Sequence, residues 1–265
     1  MIDVHCHILP GLDDGAESLE ESIKIAELLV EAGYDTVIAT PHVIEGREYV
    51  TPRCIRSKVV ELNKLFVRKG ICLKVLPGAE NYIFPDMADW YKKGILMTLG
   101  DTKRYILVEL PMQDIPTYTE QVFFDLQIAG ITPILAHPER NRCIVHHPEK
   151  LFEWVDKGVQ LQVNLGSFSG RYGEKTQELA ETLLLSGMAH YMGTDLHKSW
   201  KSNYLKSITY IMQEFKEAKF VAAATENPIN ILGGKAQTFS SPEYFVHKKK
   251  HHGTWNWLKV LVGKV

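Results

Sequence analysis

The strongest constraint on the fold is a repeated unit, in which a short apolar, β-rich run follows an amphipathic stretch that mostly closes on a glycine. The predicted strands are Ile2–His7, Thr36–Thr40, Leu73–Ala79, Tyr105–Leu110, Thr132–His137, Val159–Asn164 and His190–Thr194. The intervening helical patterns mostly end at Gly33, Gly70, Gly94, Gly130, Gly158 and Gly187. Glycine just past a helix takes the left-handed conformation without a Cβ penalty. Recurring helix–glycine–strand units imply stacked βα units on a parallel sheet. Seven strands favour a barrel or distorted barrel over an open sheet, although periodicity alone leaves closure open. The helix starts agree. Ser18 with Glu21 forms an S-x-x-E capping pattern, and Thr51-Pro52 supplies an N-cap followed by a proline at the first helical position.

A chain of 265 residues with 45% hydrophobic and 23% charged residues suits one large α/β domain. The expected domain runs over 1–241, followed by a basic and aromatic tail over 242–265 that carries HKKKHH and two tryptophans. That tail reads as solvated or packed in a homo-oligomer, with a membrane-surface or partner-docking role as the alternative. No apolar run approaches the length that spans a bilayer, and MIDVHCHILP lacks a basic-then-apolar signal, so a cytoplasmic location is expected. A net charge of −2 argues against sequence-independent nucleic-acid binding. The four cysteines form no C-x-x-C pair, which fits a reduced compartment better than a disulfide framework.

Chemistry emerges where histidines and carboxylates fall on the strand map. His5 and His7 stand two apart on the first strand and share one side of the sheet. Asp14 lies in the loop that follows, His42 and Glu80 just past the second and third strands, and Glu109 closes the fourth. His137 ends the fifth in ILAHPER, and Asp195 with His197 ends the seventh in GTDLH. All of these sit at C-terminal strand ends, the face from which parallel αβ barrels build their sites. A lone histidine there would be an ordinary core residue; nine such side chains on six strands are not explained that way. Imidazole and carboxylate without thiolate suit manganese, iron or zinc. Nine donors exceed what one ion can use, so two or three ions sharing Glu80 and Glu109 are expected.

Arg140 follows His137 closely, and Arg47 follows His42. A guanidinium fork beside a polymetal site matches a phosphoryl group. Arg142 reads instead as a surface residue. Other phosphatase chemistries fail on inspection. A cysteine phosphatase needs an arginine six positions after its nucleophile, and the positions after Cys6, Cys54, Cys72 and Cys143 are Leu12, Val60, Gly78 and Glu149. Neither a P-loop nor a G-x-S-x-G elbow is present.

H-C-H near the N-terminus, a single His in ATPH, Glu80, HPER and a final D-x-H resemble the polymerase and histidinol phosphatase (PHP) superfamily. The fuller phrases MIDVHCHILPGLDDG, YILVELP, ITPILAHPERN and GTDLH resemble its branch of metal-dependent protein-tyrosine phosphatases from bacterial capsule and exopolysaccharide operons. The likeness extends to ENPINIL, near residue 232. It implies a distorted (β/α)7 barrel with three ions, usually manganese. By the same resemblance, His5, His7, Glu80 and Asp195 hold one ion, Glu80, Glu109 and His137 a second, and Asp14, His42 and His197 a third. Arg140 then binds phosphate, and Arg140, Asp195 and His42 are the candidate catalytic residues. Members often carry an Arg-Pro pair after the final D-x-H, where this chain has HKSWKSNY. Lys198 or Lys201 is the expected replacement, joined by Arg47 as a further phosphate contact; lysine, however, is a point charge and not a fork.

The implied substrate is phosphotyrosine on a membrane-bound bacterial tyrosine autokinase that controls polysaccharide synthesis. Two rival readings are a small-molecule phosphatase acting on histidinol phosphate, and a non-catalytic module that holds a kinase or phosphopeptide. A complete ligand set speaks against the second.

Overall fold

The computed structural model describes residues 1–47, 50–199 and 218–239. Lys201 and the tail over 242–265 lie outside the described residues. Among the described residues nine strands, all parallel to their neighbours, form the centre: β1 (Ile2–Cys6), β2 (Thr36–Ala39), β3 (His42–Val43), β4 (Lys74–Pro77), β5 (Glu80–Tyr82), β6 (Tyr105–Glu109), β7 (Thr132–Ala136), β8 (Gln160–Asn164) and β9 (Tyr191–Gly193). They pair in the orders β1-β2-β4 and β3-β5-β6-β7-β8-β9.

Nine strands make seven staves because two staves are broken. β2 stops at Ala39 and resumes at His42 as β3, and β4 stops at Pro77 and resumes at Glu80 as β5. Pro41 has no N–H to give to a ladder; its carbonyl instead accepts from Glu80 N–H at 3.1 Å, where pairing restarts. The remaining edges meet through His7 N–H to Leu196 O at 3.0 Å and Asp195 N–H to His5 O at 2.8 Å. Below them the buried Asp3 carboxylate accepts from Thr194 N–H at 3.0 Å and Thr194 Oγ1 at 2.5 Å. The distorted seven-stave barrel expected from the sequence is therefore the architecture found. His42 and Glu80 lie just past the second and third predicted strands, as expected, and each opens a short strand of its own.

Helices flank the staves, beginning with α1 (Leu19–Glu31) and α2 (Pro52–Lys69). Ser18 caps α1 by accepting from Glu21 N–H at 3.3 Å. The reciprocal half of the box does not form, because the Glu21 carboxylate accepts from Ser199 N–H. Thr51 caps α2 through Cys54 N–H, and Gly70 ends it at φ 70°. The main apolar cluster lies between staves and helices, with Ile25, Leu29, Phe66, Leu126 and Trp154 buried in it. Each such side chain contributes roughly 1.5–3 kcal/mol on burial.

A smaller cluster fills the barrel interior with Val4, Ile38, Tyr105, Leu107, Ile134 and Tyr191. The end opposite the C-terminal strand ends is covered by Ile231 and by residues 235–239, where Tyr105 Oη donates to Lys235 O at 2.6 Å and Gln160 Nε2 to Gln237 O at 3.0 Å. Among the described residues no helix is long and apolar enough to cross a membrane.

Candidate metal and phosphate site

A register shift in β1 prepares the site. Asp3 pairs with Val37 but Cys6 with Ala39, so β1 holds one more residue than β2 across this interval. Such a bulge re-aims side chains. Val4 joins the interior cluster, and His5, next in sequence, also points inward toward Gln162. His7 follows inward, while Cys6 packs into the outer layer.

The structure brings all nine expected metal-ligand candidates to the C-terminal end of the barrel. His5 Nε2 and His7 Nε2 lie 3.2 and 3.3 Å from Glu80 Oε2, and 3.7 and 3.6 Å from Asp195 Oδ1. His137 Nε2 is 2.9 Å from Glu80 Oε1 and 4.0 Å from Glu109 Oε1. His42 Nδ1 stands 3.1 Å from Glu80 Oε2 and 3.3 Å from Glu109 Oε2. His42 Nε2 and His197 Nε2 face Asp14 Oδ1 at 3.6 and 3.4 Å. Donor atoms within 4.8 Å of one another form three overlapping groups: His5, His7, Glu80; His42, Glu80, Glu109; and His7, Asp14, His42, His197. His42 thus faces the inner carboxylates as well as the outer group. His137 and Asp195 adopt positive φ, 30° and 51°, a conformation that costs a non-glycine residue roughly 1–3 kcal/mol and recurs at functional sites.

The donor chemistry can be tested for its fit to cations. His5 Nδ1 is 2.8 Å from Gln162 Oε1, and His7 Nδ1 is 2.7 Å from Asp13 Oδ2. Both partners are acceptors, so each ring carries its proton on Nδ1 and presents an Nε2 lone pair. Those two Nε2 atoms are 3.1 Å apart. Two lone pairs aimed at each other need a cation or a proton between them. Glu80 Oε2 and His42 Nδ1 are likewise buried without a hydrogen-bond partner. Burial pushes the His5, His7 and His42 imidazoles down, yet the surrounding carboxylates outweigh it, so that without a cation a proton takes the place one would fill. Glu80 and Asp195 act on His5, Asp13 and Glu80 on His7, and Glu80 and Glu109 on His42, leaving pKa values of about 9, 10 and 9. Glu80 and Asp195 are held well below the usual carboxylate range despite burial, chiefly by His5. Clustered carboxylates and imidazoles demand positive charge, and the residues fit divalent cations.

Arg140 sits in a 3-10 turn, Pro138–Arg140, directly after His137. Its Nη1 donates to Asp195 Oδ2, its guanidinium lies 4.4 Å from the Tyr172 ring centroid, and its Nε is buried without a hydrogen-bond partner. Arg47 is exposed and lines an open cleft beside His42 together with Asp14, Tyr82 and Glu109. Lys198 Nζ pairs with Glu17 Oε1 at 2.6 Å, on the rim of the same cleft. Arg142 is exposed, as expected.

Sequence reasoning missed the residues that hold the donors. Besides Asp13 and Gln162, Asn164 Nδ2 donates to Asp195 Oδ2 at 2.8 Å, and the buried Glu139 accepts from Asn164 N–H at 2.9 Å and Ser167 Oγ at 2.6 Å. A signal for two of them existed: Gln160, Gln162 and Asn164 put polar groups at alternate positions of an otherwise apolar strand.

Comparison with known proteins agrees with this geometry. The tyrosine-protein phosphatase YwqE of Bacillus subtilis is 36% identical over 254 residues, spanning 96% of this chain and 99% of the relative. Tyrosine-protein phosphatase CpsB of Streptococcus agalactiae is 29% identical over 204 residues, spanning 74% and 83%. A solved structure from work on YwqE of Bacillus subtilis and CpsB of Streptococcus pneumoniae, described as metal-dependent tyrosine phosphatases, superposes with a TM-score of 0.85 at 37% identity, covering 92% of this chain and 98% of the other. The family model for capsular polysaccharide synthesis, CpsB/CapC, matches residues 1–233, and the chain belongs to that family.

Proposed function

We propose that the chain is a metal-dependent protein-tyrosine phosphatase whose substrate is phosphotyrosine on a bacterial tyrosine autokinase of capsular or exopolysaccharide synthesis, with manganese as the working ion. The observation that carries the reading is the His5–His7 pair, two lone pairs converging beside partnerless Glu80 Oε2, with Arg140 across Asp195. Divalent ions held by the nine donors would acidify bound water and offset phosphoryl charge. Arg140 supplies what an equatorial phosphoryl oxygen needs: a charged planar donor, fixed on one face by Tyr172 and on one edge by Asp195. A phenol leaving group, with a pKa of ~10, asks less proton assistance than an aliphatic alcohol. Arg47 lines the cleft through which a protein-borne phosphotyrosine would enter.

The test is metal content by elemental analysis, paired with hydrolysis of a phosphotyrosine peptide and of histidinol phosphate before and after chelation. Peptide turnover that vanishes with the metal supports the reading. Preference for histidinol phosphate would move the chain to small-molecule chemistry, and no turnover of any aryl phosphate with added manganese would leave a binding module.

A further inference from the structure

One buried carboxylate near the donors does more than fix the His7 tautomer. Asp13 is enclosed, its side chain 4% exposed, and it is spent entirely on its neighbours. Oδ2 accepts from His7 Nδ1 at 2.7 Å and from His42 N–H at 2.9 Å, and Oδ1 accepts from Gly15 N–H at 2.9 Å. It therefore fixes the ring of one donor, the main chain of a second and the turn that carries a third, Asp14. The turn has no slack. A Cβ at Gly15 would stand 2.3 Å from His7 O and 2.8 Å from Asp13 Oδ1. Asp14, by contrast, is 71% exposed and reaches His42 and His197 only because the turn presents it.

We propose that Asp13, a positioning residue and not a ligand, sets the divalent-cation affinity of the outer group His7, Asp14, His42 and His197. The inference rests on the metal-site reading above. An anionic acceptor on Nδ1 locks the tautomer and makes Nε2 a stronger donor, and loss of such a partner typically costs 10–100-fold in metal affinity. Three of the four outer donors are held by Asp13 or adjoin it. The inner groups share His7 and His42 with the outer one but anchor their remaining histidines elsewhere, His5 on Gln162 and His137 against Glu80.

The experiment uses the full chain stripped of metal by chelator dialysis. Manganese is titrated in, with bound and free ion counted by electron paramagnetic resonance, for wild type, Asp13→Asn and Asp13→Ala. Asn offers one acceptor oxygen in place of two and no charge, so it should fall between the others. Circular dichroism of the metal-free forms checks folding; if Asp13→Ala does not fold, Asp13→Asn decides. We expect roughly 10–100-fold weaker binding at the outer site, where Asp13 holds or adjoins three of the four donors, and a smaller loss at the inner sites that share only His7 or His42. Isotherms matching wild type, or equal weakening at every site, would overturn the proposal. A wild-type chain that binds no manganese would instead sink the metal-site reading, and the Asp13 role with it.

Discussion

Arg140 and Asp195 meet through Nη1 and Oδ2, and that contact divides the Asp195 carboxylate in two. Oδ2 also accepts from Asn164 Nδ2 at 2.8 Å. Oδ1 faces His197 Nδ1 at 3.3 Å, His7 Nε2 at 3.6 Å and His5 Nε2 at 3.7 Å. One oxygen thus orients the guanidinium while the other belongs to the metal donors. The proposed phosphate contact and the proposed metal donors are joined through two bonds of a single side chain, Oδ2–Cγ and Cγ–Oδ1.

Arg140→Lys and Arg140→Ala should separate those two halves. Lysine keeps charge but neither forks nor stacks as a plane on Tyr172, so kcat/KM should fall in the order wild type, Lys, Ala. By analogy with other transition-state donors the Ala loss should be about 10²–10³-fold. Metal content should hold, because Asn164 still secures Oδ2. Steady-state kinetics on a phosphotyrosine peptide, with metal analysis of each variant, reads both. Near-wild-type kcat/KM in the Ala variant would remove the phosphate role, and lost metal would make Arg140 a support for Asp195.

Exhaustive chelation should abolish turnover, and manganese should restore it. The same treatment should lower the melting temperature, since ions that bind only the folded site stabilise it by mass action. Differential scanning calorimetry with and without manganese measures this. Unaltered activity after chelation, confirmed by elemental analysis, would end the metal mechanism.

The four thiols should be dispensable for catalysis. Cys6 is wholly buried, with Sγ 3.5 Å from Leu196 O, and faces away from the histidines on either side. No cysteine has an arginine six positions on. A chain with Cys6→Ala and Cys54, Cys72 and Cys143→Ser should keep turnover within a few-fold of wild type. A folded quadruple variant with no phosphatase activity would bring covalent cysteine chemistry back.

What the sequence discloses here follows from which residues carry their own signal. The strand runs were visible because buried parallel strands are continuous apolar stretches bounded by glycine-closed helices. The nine donors were visible because imidazoles and carboxylates at strand ends stand out against them. The stave breaks were not. Pro41 interrupts one ladder, and Gly78 permits an approach so close that a Cβ would lie 2.6 Å from Ile38 Cγ2. Nor does local sequence announce the β1 bulge, which depends on pairing with β2. Asp13 and Asp14 are chemically identical neighbours. Only the turn at Gly15 sends one inward to hold His7 and leaves the other outward to face His197. Lys198, one of the two lysines offered in place of a second phosphate-binding arginine, is paired with Glu17.

Far from these donors, His190 should make folding depend on pH. The ring is 2% exposed, packs 4.2 Å from Phe239, and accepts from Leu161 N–H through Nδ1 at 2.9 Å. Burial lowers its pKa from 6.5 to about 3. The unfolded chain then binds a proton that the folded chain refuses between those values. His190 therefore leaves stability undiminished above pH 6.5 and drains it as pH falls toward 3, by up to about 1.4 kcal/mol per pH unit. Between pH 7.5 and 5 the loss from this one group is about 2 kcal/mol. His190→Asn offers an oxygen to Leu161 N–H and does not titrate. Urea unfolding of the metal-free wild type and variant across this range isolates the term, because other groups cancel in the difference. The Asn variant should gain on wild type steadily as pH falls. A difference that stays flat from pH 7.5 to 5 would mean that folded His190 takes up its proton at the ordinary pH, and that burial does not hold the ring neutral.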